Sequence, residues 1–163
     1  MLSKKAKYAL KALLVLARER EQGPIVIAEL AEREAIPKKF LERILLDLKN
    51  QGILQSKKGR GGGYFLGKSP DAITMGQVIR LLDGPLAPLP CVSQTAYMKC
   101  DECKDEVTCG IRTVMKDVRD ATAKILDGTS LMDVLKKSRR SPLKAFNGRP
   151  LKRSGPGRRA RAG

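Results

Sequence analysis

The first 66 residues of the chain combine three apolar stripes at helical spacing with two short apolar segments of strand type. Gly23-Pro24 separates the first stripe from the second, and Ala35-Ile36-Pro37 makes a tight connection to the third. A polar, glycine-rich loop from Gln55 to Gly63 then joins Ile53-Leu54 to Tyr64-Phe65-Leu66. Three short helices followed by a β-hairpin predict a winged helix-turn-helix, which is a mainly α fold with a small β-hairpin wing.

The apolar residues also indicate where these three helices begin and end. The first helix is predicted from Ser3 to Glu21, and the second is a short helix around Leu30. Pro37 is expected in the first turn of the third helix, and Gly52 is expected to stop it. The apolar stripe of the third helix consists of Phe40, Leu41, Ile44, Leu45 and Leu48.

The second half of the chain adds three predicted helices and a polar tail. Thr74 and Gln77 have capping-box spacing at the start of a fourth helix, which Gly84-Pro85 ends. A long helix with one apolar side follows the cysteines, and Ser130 caps a last short helix. From about Ser138 the chain is rich in glycine, proline and arginine, so we expect this segment to be disordered.

We therefore expect one compact domain with appendages. Residues 1–84 form the winged helix-turn-helix, and residues 85–110 form a cysteine-rich loop. Residues 111–137 contain the long helix and the short C-terminal helix, and residues 138–163 are a basic tail. No apolar run reaches the roughly 18 residues of a membrane span, and the N-terminus has no apolar signal-peptide core. These features favour a cytoplasmic protein without a membrane partner.

Basic residues outnumber acidic ones, but they are unevenly distributed. The chain has 33 Lys and Arg against 17 Asp and Glu, which gives a net charge of +16, and it has no histidine. Eleven of the basic residues and none of the acidic ones lie between Lys136 and Gly163. This tail either adds non-specific affinity for nucleic acid or only keeps the chain soluble. Without histidine the usual catalytic triads are missing, so we do not expect an enzyme.

The third helix and the loop after it form the candidate DNA-binding surface. In a winged helix-turn-helix the third helix enters the major groove, where Arg43 can pair with guanine and Glu42 can accept from cytosine. The alternative is a core helix whose charged face is only solvated, but the basic glycine-rich loop directly after it favours DNA binding. The predicted DNA-binding residues are Lys38, Lys39, Glu42, Arg43, Lys57, Lys58, Arg60, Gly61, Gly62 and Gly63.

The four cysteines form a second candidate site, with the spacing Cys91-x8-Cys100-x2-Cys103-x5-Cys109. In a cytosolic chain such clustering favours metal or redox chemistry over structural disulfides. Thiolates are soft ligands that suit both iron–sulfur clusters and zinc. Spacing alone leaves an iron–sulfur cluster, of the 2Fe–2S or 4Fe–4S type, level with a structural zinc ion. Four reduced thiols without a metal are the third alternative.

Five features occur in consistent order between Met1 and Leu135 and together resemble a known family. They are Lys7-Tyr8-Ala9-Leu10, Phe40-Leu41-Glu42-Arg43-Ile44-Leu45, Ser56-Lys57-Lys58-Gly59-Arg60-Gly61-Gly62-Gly63-Tyr64, the cysteines 91, 103 and 109, and Ile125-Leu126-Asp127-Gly128-Thr129-Ser130-Leu131. On these features the chain resembles the Rrf-two (Rrf2) family of bacterial winged helix-turn-helix transcription regulators. The glycine-rich wing and the cysteine loop are the most specific of them.

The resemblance implies a homodimer paired through the long helix, and an iron–sulfur cluster held by Cys91, Cys103 and Cys109. It also places Glu42, Arg43, Lys58 and Arg60 at family positions that are associated with DNA contact. Arg112 stands where some members have a histidine that completes the ligand shell. Other members use an acidic residue near the N-terminus, where this chain has Lys4, Lys5 and Lys7.

Cys100 is additional to the family pattern, and it is either a fourth ligand or a redox partner. The hypothesis is a homodimeric regulator of double-stranded DNA that senses redox state, iron or nitric oxide through the cluster. The residues expected to pair the two chains are Ile111, Val114, Val118, Ala121 and Ile125. The alternative is a zinc- or thiol-based redox or metal-handling protein that does not bind DNA sequence-specifically.

Overall fold

The computed structural model describes residues 2–140, and the last two of these only by their backbone. Within this part the chain forms six α-helices and one two-stranded antiparallel hairpin, which confirms the predicted fold class. The elements are α1 Lys4–Arg18, α2 Ile27–Arg33, α3 Lys38–Asn50, β1 Leu54–Lys57, β2 Gly63–Leu66, α4 Met75–Asp83, α5 Gly110–Asp127 and α6 Leu131–Arg140. Short 3-10 turns lie at Arg20–Gln22, Pro70–Ala72 and Pro90–Val92.

Helix α1 is the centre of the core. Its buried residues lie on more than one side of the helix, because α3, α4 and α6 all pack against it. A helix that is apolar on several sides must be surrounded by other elements to bury them. Fully buried side chains from the neighbouring helices complete the core, among them Leu41 of α3, Val78 of α4 and Leu131 of α6. The DNA-binding candidates of α3 are therefore positioned by a well-packed scaffold.

Helices α2 and α3 are joined by a turn in which Ala35 has a positive φ of 52°. Lys11 of α1 holds this turn, because its ammonium donates to the main-chain oxygen of Glu34 at 2.8 Å and pairs with the Glu34 carboxylate at 3.0 Å. A second salt bridge, from Lys5 to Asp47 at 2.8 Å, joins α1 to α3. These contacts set the orientation of α3 relative to the core.

We predict that Ala35→Gly stabilises the protein. A β-carbon in the left-handed region destabilises the folded state by about 1–2 kcal/mol, and glycine removes this strain. Glycine also makes the unfolded chain more flexible, which offsets the gain by about 0.4–1 kcal/mol. The expected net gain is about 0.5–1 kcal/mol, measured as a higher urea midpoint. Ala28→Gly is the control, because Ala28 lies on the helical backbone of α2 and glycine there should lower the midpoint. A urea midpoint lower than that of the wild type would show that Ala35 is not strained.

The segment at Ile25 joins the two strands of the wing to the rest of the protein. β1 and β2 pair from Leu54 opposite Leu66 to Lys57 opposite Gly63. Ile25, which lies between α1 and α2, exchanges two main-chain hydrogen bonds with Tyr64, at 2.9 and 2.8 Å. The hairpin is consequently held both by α3, which packs on β1, and by the segment that precedes α2.

The second half of the chain packs against the first half, and contacts at the starts of α4 and α6 position it there. The predicted caps are present: Thr74 Oγ1 accepts from the Gln77 N–H at 3.1 Å, and Ser130 Oγ accepts from the Asp133 N–H at 3.1 Å. The Leu131 N–H donates to the Ile73 oxygen at 2.9 Å. These bonds place the start of α6 beside the start of α4, and α6 then packs on α1.

Three boundaries differ from the sequence-based expectation. α1 ends at Arg18 rather than continuing to Glu21, because the chain tightens there into the 3-10 turn before Gly23. Pro37 is the residue just before the first turn of α3 (its N-cap position) rather than part of that turn. α6 continues past Ser138 to Arg140, and the tail predicted from there onward otherwise lies outside the described residues. No helix between residues 2 and 140 is both long and apolar enough to cross a membrane.

Candidate functional site

Helix α3 has one face in the core and one face in solvent. Leu41, Ile44, Leu45 and Leu48 are buried, as their spacing predicts. The four candidate DNA-binding residues of this helix are all exposed, and they are Lys38, Lys39, Glu42 and Arg43. Phe40 is the exception in the predicted apolar stripe, because it is 37% exposed and packs edge-to-face on Tyr8 at 5.8 Å.

The N-terminal end of α3 is favourable for an anion. The helix has no side-chain cap and no acidic residue in its first turn, so its first N–H groups and the positive end of the helix dipole are not neutralised locally. Lys38 and Lys39 add two charges at the same end. This arrangement suits a phosphate group of a nucleic acid.

The wing presents three cations at and beside its glycine-rich turn. Lys57, Lys58 and Arg60 are exposed. Gly59 and Gly61 have φ values of 89° and 72°, and a β-carbon on either would meet nothing within 4 Å. These two glycines are therefore required by the turn and lie on its open side, where a backbone could approach closely.

Gly62 and Gly63 are packed against the protein itself. A β-carbon on Gly62 would lie 2.3 Å from the Lys57 oxygen, and one on Gly63 would lie 2.4 Å from the Ile25 oxygen. Both positions thus need glycine for the neck of the hairpin, whether or not DNA is bound. Contact of these two residues with DNA stays a prediction.

The cations of this surface have no carboxylate partners. None of the six salt bridges found in residues 2–140 involves Lys38, Lys39 or Arg43 of α3, or Lys57, Lys58 or Arg60 of the wing. Arg43 and Arg60 are both exposed rather than buried in ion pairs. Charges that are not neutralised by the protein are free to pair with DNA phosphates and release counterions.

The four cysteines, which the sequence separates by up to 17 intervening residues, line a single cavity of about 210 Å³. Cys91 is buried in the 3-10 turn Pro90–Val92, and Cys109 is the residue before α5. Cys103 is half-buried and Cys100 is exposed, and a hydrogen bond from the Cys103 N–H to the Cys100 oxygen at 3.2 Å closes the turn between them. All four are free thiols.

The thiols of this cavity interact with one another. Burial raises the pKa of the Cys103 thiol, and a hydrogen bond with the Cys109 thiol together with the charges of Cys109, Cys100 and Glu106 raises it further. Cys103 Sγ also lies 3.3 Å from the main-chain oxygen of Asp105 and donates to it. No three cysteine or carboxylate side chains in the described part of the chain converge closely enough to hold a single metal ion.

Two arginines of α5 hold the turn that carries Cys91. Arg112 Nε donates to the Cys91 oxygen at 3.3 Å, and Arg119 Nη1 donates to the Val92 oxygen at 2.5 Å. Because the two arginines are seven residues apart, they lie on the same side of α5, two turns from each other. The cysteine turn is therefore bonded directly to the long helix.

The other end of α5 is bonded to α4. Arg80 forms a two-pronged salt bridge with Asp127, at 2.5 and 2.9 Å, and the hydrogen bond to Arg80 lowers the pKa of the Asp127 carboxyl. Gly76 makes room for this pair, because a β-carbon there would lie 2.0 Å from Asp127 Oδ1. α5 is thus attached to the body at both ends by polar contacts.

The outer side of α5 carries an apolar stripe that nothing in the described chain covers. Ile111, Val114, Val118 and Ile125 are between 44% and 67% exposed, and no residue of α5 is buried. Together with the exposed Ala121, these residues are spaced by three and four in alternation. That spacing is typical of a helix that pairs with another helix.

A family profile, Rrf2, described as an iron-dependent transcriptional regulator, matches residues 2–137. The chain belongs to the Rrf2 family. It is similar to an rrf2-like HTH-type protein of Rhodobacter capsulatus, with 47% identity over 138 residues that cover 83% of this chain and 92% of the relative.

Other transcription regulators, two of them with solved structures, are also similar to this chain. CymR of Bacillus subtilis, an HTH-type transcriptional regulator, is 32% identical over 82% of this chain and 88% of its own length. The structure of CymR, the global cysteine regulator of B. subtilis, matches with a TM-score of 0.71 at 31% identity, covering 84% of this chain and 97% of that one. T. potens IscR matches with a TM-score of 0.69 at 27% identity, covering 88% and 91%. These matches confirm the predicted winged helix-turn-helix and the resemblance, and they support a DNA-binding transcription regulator.

Some residues that organise this Rrf2 protein were not found from the sequence. Arg119, Gly76 and Ile25 each contact a segment far away along the chain. Only the seven-residue spacing of Arg112 and Arg119 could have indicated a shared partner. Glu106 also lines the cysteine cavity and accepts from the Tyr97 hydroxyl at 2.6 Å.

Proposed function

We propose that this Rrf2 regulator binds its operator as a homodimer and that an iron–sulfur cluster on the four cysteines controls its affinity. The observation that carries the proposal is the single cavity lined by Cys91, Cys100, Cys103 and Cys109. One of its walls, the Cys91 turn, is hydrogen-bonded to α5, which is the helix with the uncovered apolar stripe. A change at the cysteines can therefore reach the helix expected to join the two chains.

The donor set fits an iron–sulfur cluster. Four thiols are soft ligands, and Cys91, Cys103 and Cys109 match the three-cysteine pattern that the resemblance implies, with Cys100 available as the fourth. A single zinc ion needs four donors about 2.3 Å from one point. The described residues do not converge in that way for zinc or for a cluster, so it is the cavity of about 210 Å³ that favours a group of several atoms. When bound, a cluster supplies a centre that gains or loses an electron and is altered by oxidants.

The protein residues then have distinct tasks. The cysteines would bind the cluster, and Arg112 and Arg119 would transmit the position of the Cys91 turn to α5. Helix α5 sets the separation of the two α3 helices, which must match half-sites about one DNA turn apart or a longer helical spacing. A coupling of about 1–3 kcal/mol between cluster and DNA would change the affinity roughly 5–150-fold, which is enough to regulate a promoter.

On the DNA side, we propose that Arg43 pairs with a guanine and that Glu42 accepts from a cytosine amino group. The lysines at the start of α3 and the wing cations Lys57, Lys58 and Arg60 are suited to phosphate contacts, which position the protein without selecting a sequence. Binding is expected to weaken steeply with salt, because each phosphate contact releases counterions.

Anaerobic purification of the full chain tests the cluster. The expected sample is brown, with broad visible absorption and with iron and sulfide in similar amounts, because thiolate-bound iron is coloured. Cys91→Ser, Cys103→Ser and Cys109→Ser should each lose this absorption. Removing the cluster with a chelator should change operator affinity about 5–150-fold. A colourless protein with one zinc per chain would refute the cluster, since zinc has a filled d shell.

We predict that Arg43→Ala reduces operator affinity by about 1–3 kcal/mol, roughly 5–150-fold, and relaxes sequence preference. The operator would first be selected from a random DNA library, and affinities for operator and random DNA would be measured by fluorescence anisotropy. Arg43→Lys keeps the charge but loses two-pronged pairing, so it should lower specific binding more than random binding. Lys49→Ala, at the exposed end of α3, is the control. Equal weakening on all DNA would contradict the role of Arg43.

A further inference from the structure

The wall of the cysteine cavity contains one basic side chain that cannot be a ligand. Arg112 lines the cavity together with the four cysteines, and its Nε is fixed by the Cys91 oxygen at 3.3 Å. A guanidinium has five N–H donors and no lone pair for a metal, and it stays protonated at any ordinary pH. The other nitrogens of Arg112 remain available after Nε is bonded to the main chain.

The charge of Arg112 is not neutralised by a close partner. No salt bridge of residues 2–140 involves this guanidinium, although several carboxylates lie in the cysteine loop. Among the described residues that line the cavity, Arg112 is the sole cation and Glu106 the sole carboxylate. Glu106 accepts a hydrogen bond from the Tyr97 hydroxyl, which holds this carboxyl group at the wall of the cavity.

A charged group beside a redox centre changes the energy of adding an electron. A thiolate-bound cluster is more negative after reduction than before, so a nearby positive charge stabilises the reduced form more than the oxidised form. A nearby negative charge has the opposite effect. Charge and hydrogen bonding around a cluster are the means by which a protein sets its potential.

We propose that Arg112 raises the reduction potential of the cluster and that Glu106 lowers it. This inference rests on the proposed cluster. It assigns to the pair the task of setting the redox conditions under which the regulator changes state. Arg112 acts as a positioning and tuning residue through its charge, while the sulfur ligands remain the cysteines.

The test is an anaerobic titration of the cluster-loaded full-length protein with dithionite, which supplies the electrons, in the presence of redox mediators. Arg112→Gln should lower the midpoint potential, so that at the wild-type midpoint the ratio of reduced to oxidised cluster falls about tenfold, which is about 59 mV for a one-electron couple. Glu106→Gln should move the midpoint in the opposite direction. Arg112→Lys, which keeps the charge, should stay closer to the wild-type potential than Arg112→Gln.

Arg119→Gln is the matched control, because Arg119 donates to the next carbonyl of the same turn but does not line the cavity. If Arg112→Gln and Arg119→Gln shift the potential equally, the effect comes from the turn and not from charge, and the inference fails. It also fails if Arg112→Gln and Glu106→Gln, with wild-type iron content, keep the wild-type potential. If Arg112→Gln binds no cluster, Glu106→Gln decides the matter by itself. A higher midpoint potential supports the inference, and a lower or unchanged one contradicts it. A wild-type protein that binds no cluster would instead overturn the proposed function.

Discussion

Replacing Gly63 with alanine is expected to destabilise the protein by about 2–4 kcal/mol. The new β-carbon would lie 2.4 Å from the Ile25 oxygen and 2.5 Å from its carbonyl carbon, which are main-chain atoms and cannot rotate away. The strand pairing would have to open, with the loss of the two hydrogen bonds between Ile25 and Tyr64. Urea unfolding measures the change, and DNA affinity should fall with it because the wing would lose its anchor.

Gly61→Ala is the control, since both glycines lie in the wing and both have a positive φ. A β-carbon on Gly61 meets nothing within 4 Å, so only the backbone strain of about 1 kcal/mol remains. A Gly61→Ala protein that is as unstable as Gly63→Ala would show that contact with Ile25 is not the cause. If Gly61→Ala folds normally but binds DNA weakly, the tip of the wing lies close to the DNA backbone.

Val118→Glu is expected to separate the proposed homodimer. Val118 lies in the middle of the exposed apolar stripe of α5, and in a symmetric pair the two new carboxylates would face each other in an apolar contact. Burying such charges without partners should cost about 3 kcal/mol or more, so the dimer dissociation constant should rise at least about 100-fold. Sedimentation velocity over a range of protein concentrations measures this change, and operator affinity should fall because one chain contacts only one half-site.

Lys116→Gln is the matched control for this experiment. Lys116 is exposed on the same helix but lies off the stripe, and its replacement changes the net charge by the same single unit. It should leave the dimer intact. A Val118→Glu protein that remains dimeric and binds its operator like the wild type would show that α5 does not join the chains.

Much of the fold could be predicted because the deciding interactions are local. The buried stripe of α3 has the helical period, and the caps at Thr74 and Ser130 need only residues three positions away. The wing could be predicted because few structures other than a tight turn need so many glycines together. The cysteines could be recognised as a group because their clustering has few chemical explanations.

Other features could not be predicted, because they depend on segments that meet only in the folded chain. The sequence predicts DNA contact at Gly62 and Gly63, and only the structure shows that main-chain atoms of Lys57 and Ile25 are packed against these two residues. The position of α6 in the sequence puts it next to the long helix, and only the structure shows that it packs on α1. Sequence patterns reveal that a face is apolar but not which partner covers it.

By itself, then, the sequence determined the helical periods, the glycine-rich wing and the grouping of four soft ligands, since each follows from the chemistry of neighbouring residues. Only the tertiary structure decided that all four cysteines line one cavity, that Arg112 forms part of its wall, and that Arg112 and Arg119 bond the Cys91 turn to α5. These arrangements join residues about 20 to 30 positions apart, and such contacts form only when packing of the core brings their elements together.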